Sequence, residues 1–310
     1  MMDQIQDNQE TNGPPEAFGW VDLPEDVEVV AQAQPIPSFG DTEAGLGGDI
    51  PDEALGWRWW KTATGTDFPE LAQGSVGSCC AFGASHAAMV SMAGEVLSGD
   101  PESAVIPSPE VIYGFSRVQV NGGRSPFRSD GSTGAWVAQA MKDFGILEKT
   151  VVGSFDLSKY SETRCREFGS RGVPAELVEA AKAHRFTSIS RVRTFDDFCR
   201  AIANGFGVIV ASQVGFNLSR RDSEGFCKPS GRWAHCMAGL AYRKGKRPGG
   251  YIKNSWGAGS NSGPKYPADD MPNGGFWVDS EVLEKQMFSA GDSWAVSNMP
   301  TGFPLRRLSW

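Results

Sequence analysis

The chain is 310 residues long, 40% hydrophobic and 21% charged, with a formal net charge of −8 at neutral pH. That length holds one large or two modest domains, and the apolar share is enough for a packed core. No apolar run approaches ~18 residues, which argues against a membrane span; the N-terminus lacks the basic start and apolar stretch of a secretory signal, so a cytoplasmic location is expected, with neither membrane nor nucleic acid as a partner.

The charge is unevenly placed. Residues 1–50 carry eleven acidic and no basic side chains, leaving 29 basic against 26 acidic groups in residues 51–310. Rich in Gln, Pro and Gly, and interrupted by Pro14-Pro15 and Pro35-Ile36-Pro37, residues 1–50 read as an extended or disordered N-terminal arm. Such an arm serves as a leader or tether, or it docks on the body or on another protein with its acids against a basic surface. From Pro51 the chain reads as globular, and Trp57-Arg58-Trp59-Trp60 suggests a packed opening segment.

Gln73-Gly74-Ser75-Val76-Gly77-Ser78-Cys79-Cys80-Ala81-Phe82 is a glycine-rich turn running into a helix of small residues over 79–97, ended by Gly99. Ser78 is placed to cap that helix. A thiol at a helix N-terminus faces unpaired N–H groups and the positive end of the dipole, which favour the thiolate, so Cys79 is a candidate nucleophile. Ser108-Pro109-Glu110 starts a second helix. Gly122 to Gly134 is a loop feeding a third helix over 135–144. A shorter helix runs from Pro174 to about His184, and Thr194-x-x-Asp197 caps another through Ile202. After Gly205 the pattern turns strand-like, at 207–211, 233–242, 251–253 and 275–278. Helices early and strands late predict an α+β protein with two lobes, mainly helical over about 51–150 and mainly β over about 151–310.

A cysteine nucleophile needs a base, and the chain has three histidines. His86 lies two turns along the helix from Cys79, about 10 Å away, too far for a direct hydrogen bond. His184 suits a helix C-terminus. His235 stands on a strand that continues to Tyr242, and a second strand begins at Tyr251. A hairpin centred between Lys244 and Gly245 places His235 opposite Asn254, so the amide can fix the imidazole while the other ring nitrogen faces the thiol.

These residues resemble the papain family of cysteine peptidases. The stretch from Gln73 to Phe82 looks like that family's Q-G-x-C-G-S-C-W-A-F, Tyr251-Ile252-Lys253-Asn254-Ser255-Trp256-Gly257 looks like its I-K-N-S-W-G, and His235 to Tyr242 is similar to its H-x-x-x-x-x-G-Y. Trp57-Arg58 resembles the W-R near the start of the mature enzyme, so the resemblance covers about residues 51–300. It implies a papain-like fold with a helical lobe carrying the nucleophile and a barrel-like β lobe carrying His and Asn. It also implies Cys79 as nucleophile, His235 as base and then acid, Asn254 as its orienter, Gln73 as an oxyanion donor and Trp256 as a shield over the Asn254–His235 bond. Asp130 and Gly131 fall where the family's substrate-binding loop lies. No cofactor or metal is implied, and the substrate class is a protein or peptide.

Val76 stands where secreted relatives place a half-cystine, which argues for a reducing compartment. Cys165, Cys199, Cys227 and Cys236 then read as buried thiols, with a Cys227–Cys236 bridge as the alternative. Cys80 replaces a tryptophan. The spacings of 156 and 175 residues from Cys79 to His235 and Asn254 call for insertions, expected in 118–130 and 158–173. Two functions follow as expectations: a cysteine endopeptidase acting through a Cys79 thioester, or a papain-like body that works by interaction, its acidic arm engaging a larger particle or complex.

Overall fold

The computed structural model describes residues 18–99, 103–306 and 308. The expectation for residues 1–17 lies outside them. Within them, the rest of the expected arm is folded against the body. α1 (Pro24–Gln32) has proline at its first turn and Glu25 and Asp26 beside it, which suits a helix start. Its Val27, Val30 and Ala31 are buried, at the i, i+3, i+4 spacing of an amphipathic helix. Proline and charge obscure that stripe in the sequence, because its exposed face holds nearly all of the acids. Phe39 follows, fully buried with its ring edge-on to Phe303 at 5.3 Å. Thr42 Oγ1 then accepts from Gly45 N at 3.0 Å and starts the short α2 (Glu43–Leu46).

β1 (Glu53–Leu55) leads into α3 (Gly56–Thr64), whose Trp57, Trp59 and Trp60 are all buried. α4 (Cys79–Leu97) is the central helix, buried from Cys79 to Glu95, and its small residues let neighbours approach from every side. α5 (Pro109–Gly114) runs on into a π-helical turn at Phe115–Gln119. α6 (Gly134–Asp143) is capped by Thr133. After the small hairpin β2 (Val151–Val152) and β3 (Phe155–Asp156) come α7 (Glu162–Arg171) and α8 (Ala175–Ala181). Phe168 and Leu177 pack with Val111 and Phe115 in a second hydrophobic cluster. The helical lobe therefore extends past residue 150, and part of the stretch expected as an insertion is the helix α7.

The second lobe is a twisted antiparallel sheet built from β4 (Ser188–Arg191), β5 (Val208–Phe216), β6 (Pro229–Arg243), β7 (Gly249–Lys253), β8 (Gly275–Asp279) and β9 (Ser293–Ser297). Its order is β4-β9-β5-β6-β7-β8, with β1 pairing on the far end of β6. α9 (Phe195–Ala203) opens on the expected Thr194–Asp197 capping box, and α10 (Ser280–Val282) follows β8. α4 packs on β6 where Gly83 gives way: a Cβ there would meet Met237 O at 2.7 Å. Among the described residues no helix is long and apolar enough to cross a membrane.

The hairpin frame differs from the expected one. Lys253 pairs with Ala238, where the symmetric hairpin would give Cys236. At the turn the displacement is three residues, Arg243 pairing with Gly249, and the bulge between Gly239 and Ala241 recovers one of them. A displacement of two residues keeps every side chain on its original face. His235 and Asn254 thus still share a face, although β7 ends one residue before Asn254.

Candidate active site

Gly74 takes a left-handed φ of 61°, which glycine adopts without strain, and it bends the chain back toward α4. Cys79 is the first residue of that helix and has no exposed surface. Ser78 holds the cap position but does not cap: its hydroxyl donates to Val76 O at 3.5 Å. Gln73 is fixed at both ends of its amide. Ser255 Oγ donates to Gln73 Oε1 at 2.6 Å, and Gln73 Nε2 donates to Val76 O at 2.8 Å. One N–H of the expected oxyanion donor is therefore committed to the turn.

On the other lobe, His235 Nε2 and Asn254 Oδ1 are 2.8 Å apart. Asn254 Oδ1 also accepts from Ser255 N at 2.7 Å, which holds the amide oxygen toward the ring. The Trp256 ring lies 4.7 Å from the imidazole, and Trp233 lies 4.9 Å from Trp256 and 6.3 Å from the imidazole. His235 Nδ1 is buried without a hydrogen-bond partner, and the ring lies beside the Cys79 thiol. Burial pushes that thiol up, but the Cys80 thiol, the charge and ring of His235 and the backbone at Cys236 outweigh it and hold Cys79 well below the usual thiol range. A low-lying thiolate beside an oriented imidazole is suited to nucleophilic attack on a carbonyl. His86 lies elsewhere, buried on α4 against Phe68, and its burial keeps the ring neutral.

Among solved structures, xylellain, a cysteine protease from Xylella fastidiosa, matches with a TM-score of 0.54 at 16% identity over 93% of both chains. The Amb a 11 cysteine protease, a ragweed pollen allergen, in its proform gives a TM-score of 0.58 at 16% identity over 92% of this chain and 77% of that one. Procathepsin B S9 from Trypanosoma congolense gives 0.55 at 12% identity over 90% and 85%. The fold is that of the papain-like cysteine peptidases. No protein-family model matches the chain, nor does any curated protein sequence.

In this papain-like frame, a strap from the chain's own N-terminal segment bridges the two lobes beside His235. Gly19 N and Trp20 N donate to Ala234 O at 3.2 and 3.1 Å, while Ser132 N donates to Gly19 O at 2.8 Å and Val21 N to Ser132 O at 2.9 Å. Residues 19–21 thereby link the 131–132 loop to the residue before His235. Phe18 sits over the pair, its ring 6.0 Å from His235 and 5.7 Å from Trp256. Gly19 lies so close to the turn that a Cβ would fall 2.0 Å from Gly77 O. Trp20 Nε1 donates to Asp292 Oδ2 at 2.7 Å. That buried carboxylate also accepts from Gly134 N, Ala135 N and Trp294 Nε1, each at 2.7 Å. Asp130 and Gly131 line this strap: Asp130 Oδ2 accepts from Gly77 N at 3.3 Å, and a Cβ on Gly131 would meet Gly19 O at 3.1 Å.

Sequence reasoning offered docking of the arm through its acids, not a main-chain and aromatic strap, and it missed Trp233, Ser255 and Asp292. One signal was available for the strap: Phe18 and Trp20 are the only aromatic residues before Phe39, and they flank a glycine inside an otherwise polar, acidic stretch.

Proposed function

We propose that the chain is a cysteine peptidase that cleaves peptide amide bonds through a thioester on Cys79 and is held latent by its own residues 18–21. The observation that carries this reading is the 2.8 Å His235–Asn254 contact beside a thiol at the first residue of α4. His235 takes the thiol proton, and Cys79 attacks the carbonyl carbon. The resulting oxyanion is met by the Cys79 backbone N–H and the Gln73 amide. His235 then protonates the leaving nitrogen, the C–N bond breaks, and water releases the acyl group. Trp256 keeps water from the Asn254–His235 bond, and the 130–132 loop pairs with the substrate backbone once the strap has left it.

An epoxide thiol probe tests this. Cys79 should be labelled in the wild type and in Gly19→Ala, faster in the latter, and His235→Ala should slow labelling by roughly 10²-fold or more. Folded Gly19→Ala protein whose Cys79 stays unlabelled would overturn the reading. The strap favours a second one, in which the papain-like body acts by interaction without proteolysis; an unlabelled Cys79 is its signature.

A further inference from the structure

Two buried thiols stand behind Cys79, and the peptidase chemistry uses neither. Cys80 is the next residue of α4, and its Sγ donates to Ser132 O at 3.2 Å. Cys236 follows His235 on β6, and all three cysteines are free and have no exposed surface. Gly83 brings the elements together: a Cβ there would lie 3.3 Å from Cys236 Sγ. Cys79 and Cys80 stand four and three residues before Gly83, so both flank the helix face on which β6 rides. The three thiols are near enough to shift one another's titration.

We propose that Cys80 and Cys236 are resolving thiols that carry peroxide oxidation away from Cys79 and store it as a Cys80–Cys236 disulfide. The inference rests on the reactive thiol of the reading above and needs hydrogen peroxide as its oxidant. The Cys79 thiolate attacks one peroxide oxygen; the S–O bond forms, the O–O bond breaks, and the departing hydroxide takes the His235 proton to become water. The Cys80 sulfur attacks the sulfenic sulfur, forming Cys79–Cys80 and releasing a second water with the Cys80 proton. Cys236 then attacks Cys80 Sγ, Cys79 leaves as thiolate, and the Cys236 proton returns to His235. Peroxide is reduced to two waters, and two thiols become one disulfide. Two effects drive the last step. A bridge between adjacent residues of a helix is strained, and Cys79 is the best leaving group, because burial pushes the other two thiols up while Cys79 is held low. Without resolution, a sulfenic acid proceeds irreversibly to sulfinic acid.

The test is peptide mass mapping of the full chain after hydrogen peroxide and alkylation of the remaining thiols, a readout that needs no peptidase substrate. Wild type should give a Cys80–Cys236 cross-linked peptide with Cys79 still alkylatable, both reset by a thiol reductant. Cys79→Ser should not form the cross-link at the same dose. Cys80→Ala should accumulate Cys79 sulfinic acid that the reductant does not recover. Sulfinic acid at Cys79 of the wild type with Cys80 and Cys236 still free, or a cross-link forming equally in Cys79→Ser, would overturn the proposal. Cross-linking without epoxide labelling would leave this proposal standing while removing the peptidase.

Discussion

At Cys79, burial and its surroundings pull in opposite directions. Burial disfavours the thiolate, while the Cys80 thiol, His235 and the Cys236 backbone favour it and prevail. Lowering a thiol's pKa extends the thiolate to lower pH, so alkylation of Cys79 by iodoacetamide should remain fast well below the usual thiol range. In His235→Ala the rising limb of that profile should move to higher pH, because the opposing charge is gone and the burial remains. Gln73→Ala should reduce kcat/KM on a peptide substrate by about 10²-fold, the usual loss for one oxyanion donor. Cys79 was picked out in the sequence from the turn before its helix, His235 and Asn254 from a hairpin, and Gln73 from the family resemblance alone. Ser255 was quoted within that resemblance, yet its grip on Gln73 crosses 182 residues. No spacing argument reaches that far.

Among the elements, the strap depends on one buried carboxylate. Oδ2 of Asp292 accepts from Trp20 and Gly134, and Oδ1 from Ala135 and Trp294. Asp292→Asn keeps the shape but turns an NH2 toward two of those donors. Leaving buried donors unpaired costs about 1–3 kcal/mol each. The variant should therefore unfold at lower denaturant, by about 2–6 kcal/mol in all, and its Cys79 should label faster with an epoxide probe. Asp292→Asn protein as stable as wild type, with unchanged labelling, would show that the carboxylate does not hold the strap. α4, α9 and β6 were readable from sequence alone, through a glycine turn into small residues, a Thr194–Asp197 cap and an apolar run. α1 and α7 were not, since acids or arginines crowd their exposed faces and the buried stripe is only two or three residues wide. The hairpin register failed for another reason: the turn lies further along the chain than the symmetric reading placed it, and the bulge, which restored side-chain parity, kept His235 with Asn254.

Across the whole molecule, residues 18–48 run from the strap over both lobes. Beyond the strap, α1 packs on α6, and Glu28 pairs with Arg191 at 2.8 Å. Phe39 fills a site lined by Phe206 and Phe303, and the Gly47 and Gly48 carbonyls accept from Arg200. A surface-bound acidic tether would leave the body intact on removal, whereas this segment carries part of the core. Truncating a buried Phe or Trp costs about 3–5 kcal/mol, and a domain's whole stability is about 5–15 kcal/mol. Deleting residues 1–50 removes Trp20 and Phe39 together, so the truncated chain should lose much of its stability, read as a large fall in Tm, even as the strap is removed. Nicking the chain at the exposed residues 48–49 gives the complementary result. The contacts of residues 18–46 do not pass through that peptide bond, so the cut segment should stay bound through size-exclusion chromatography, and Cys79 should label as slowly as in the intact chain. Prompt release of the segment on nicking would mean that chain connectivity, and not burial of its aromatic residues, keeps the strap in place.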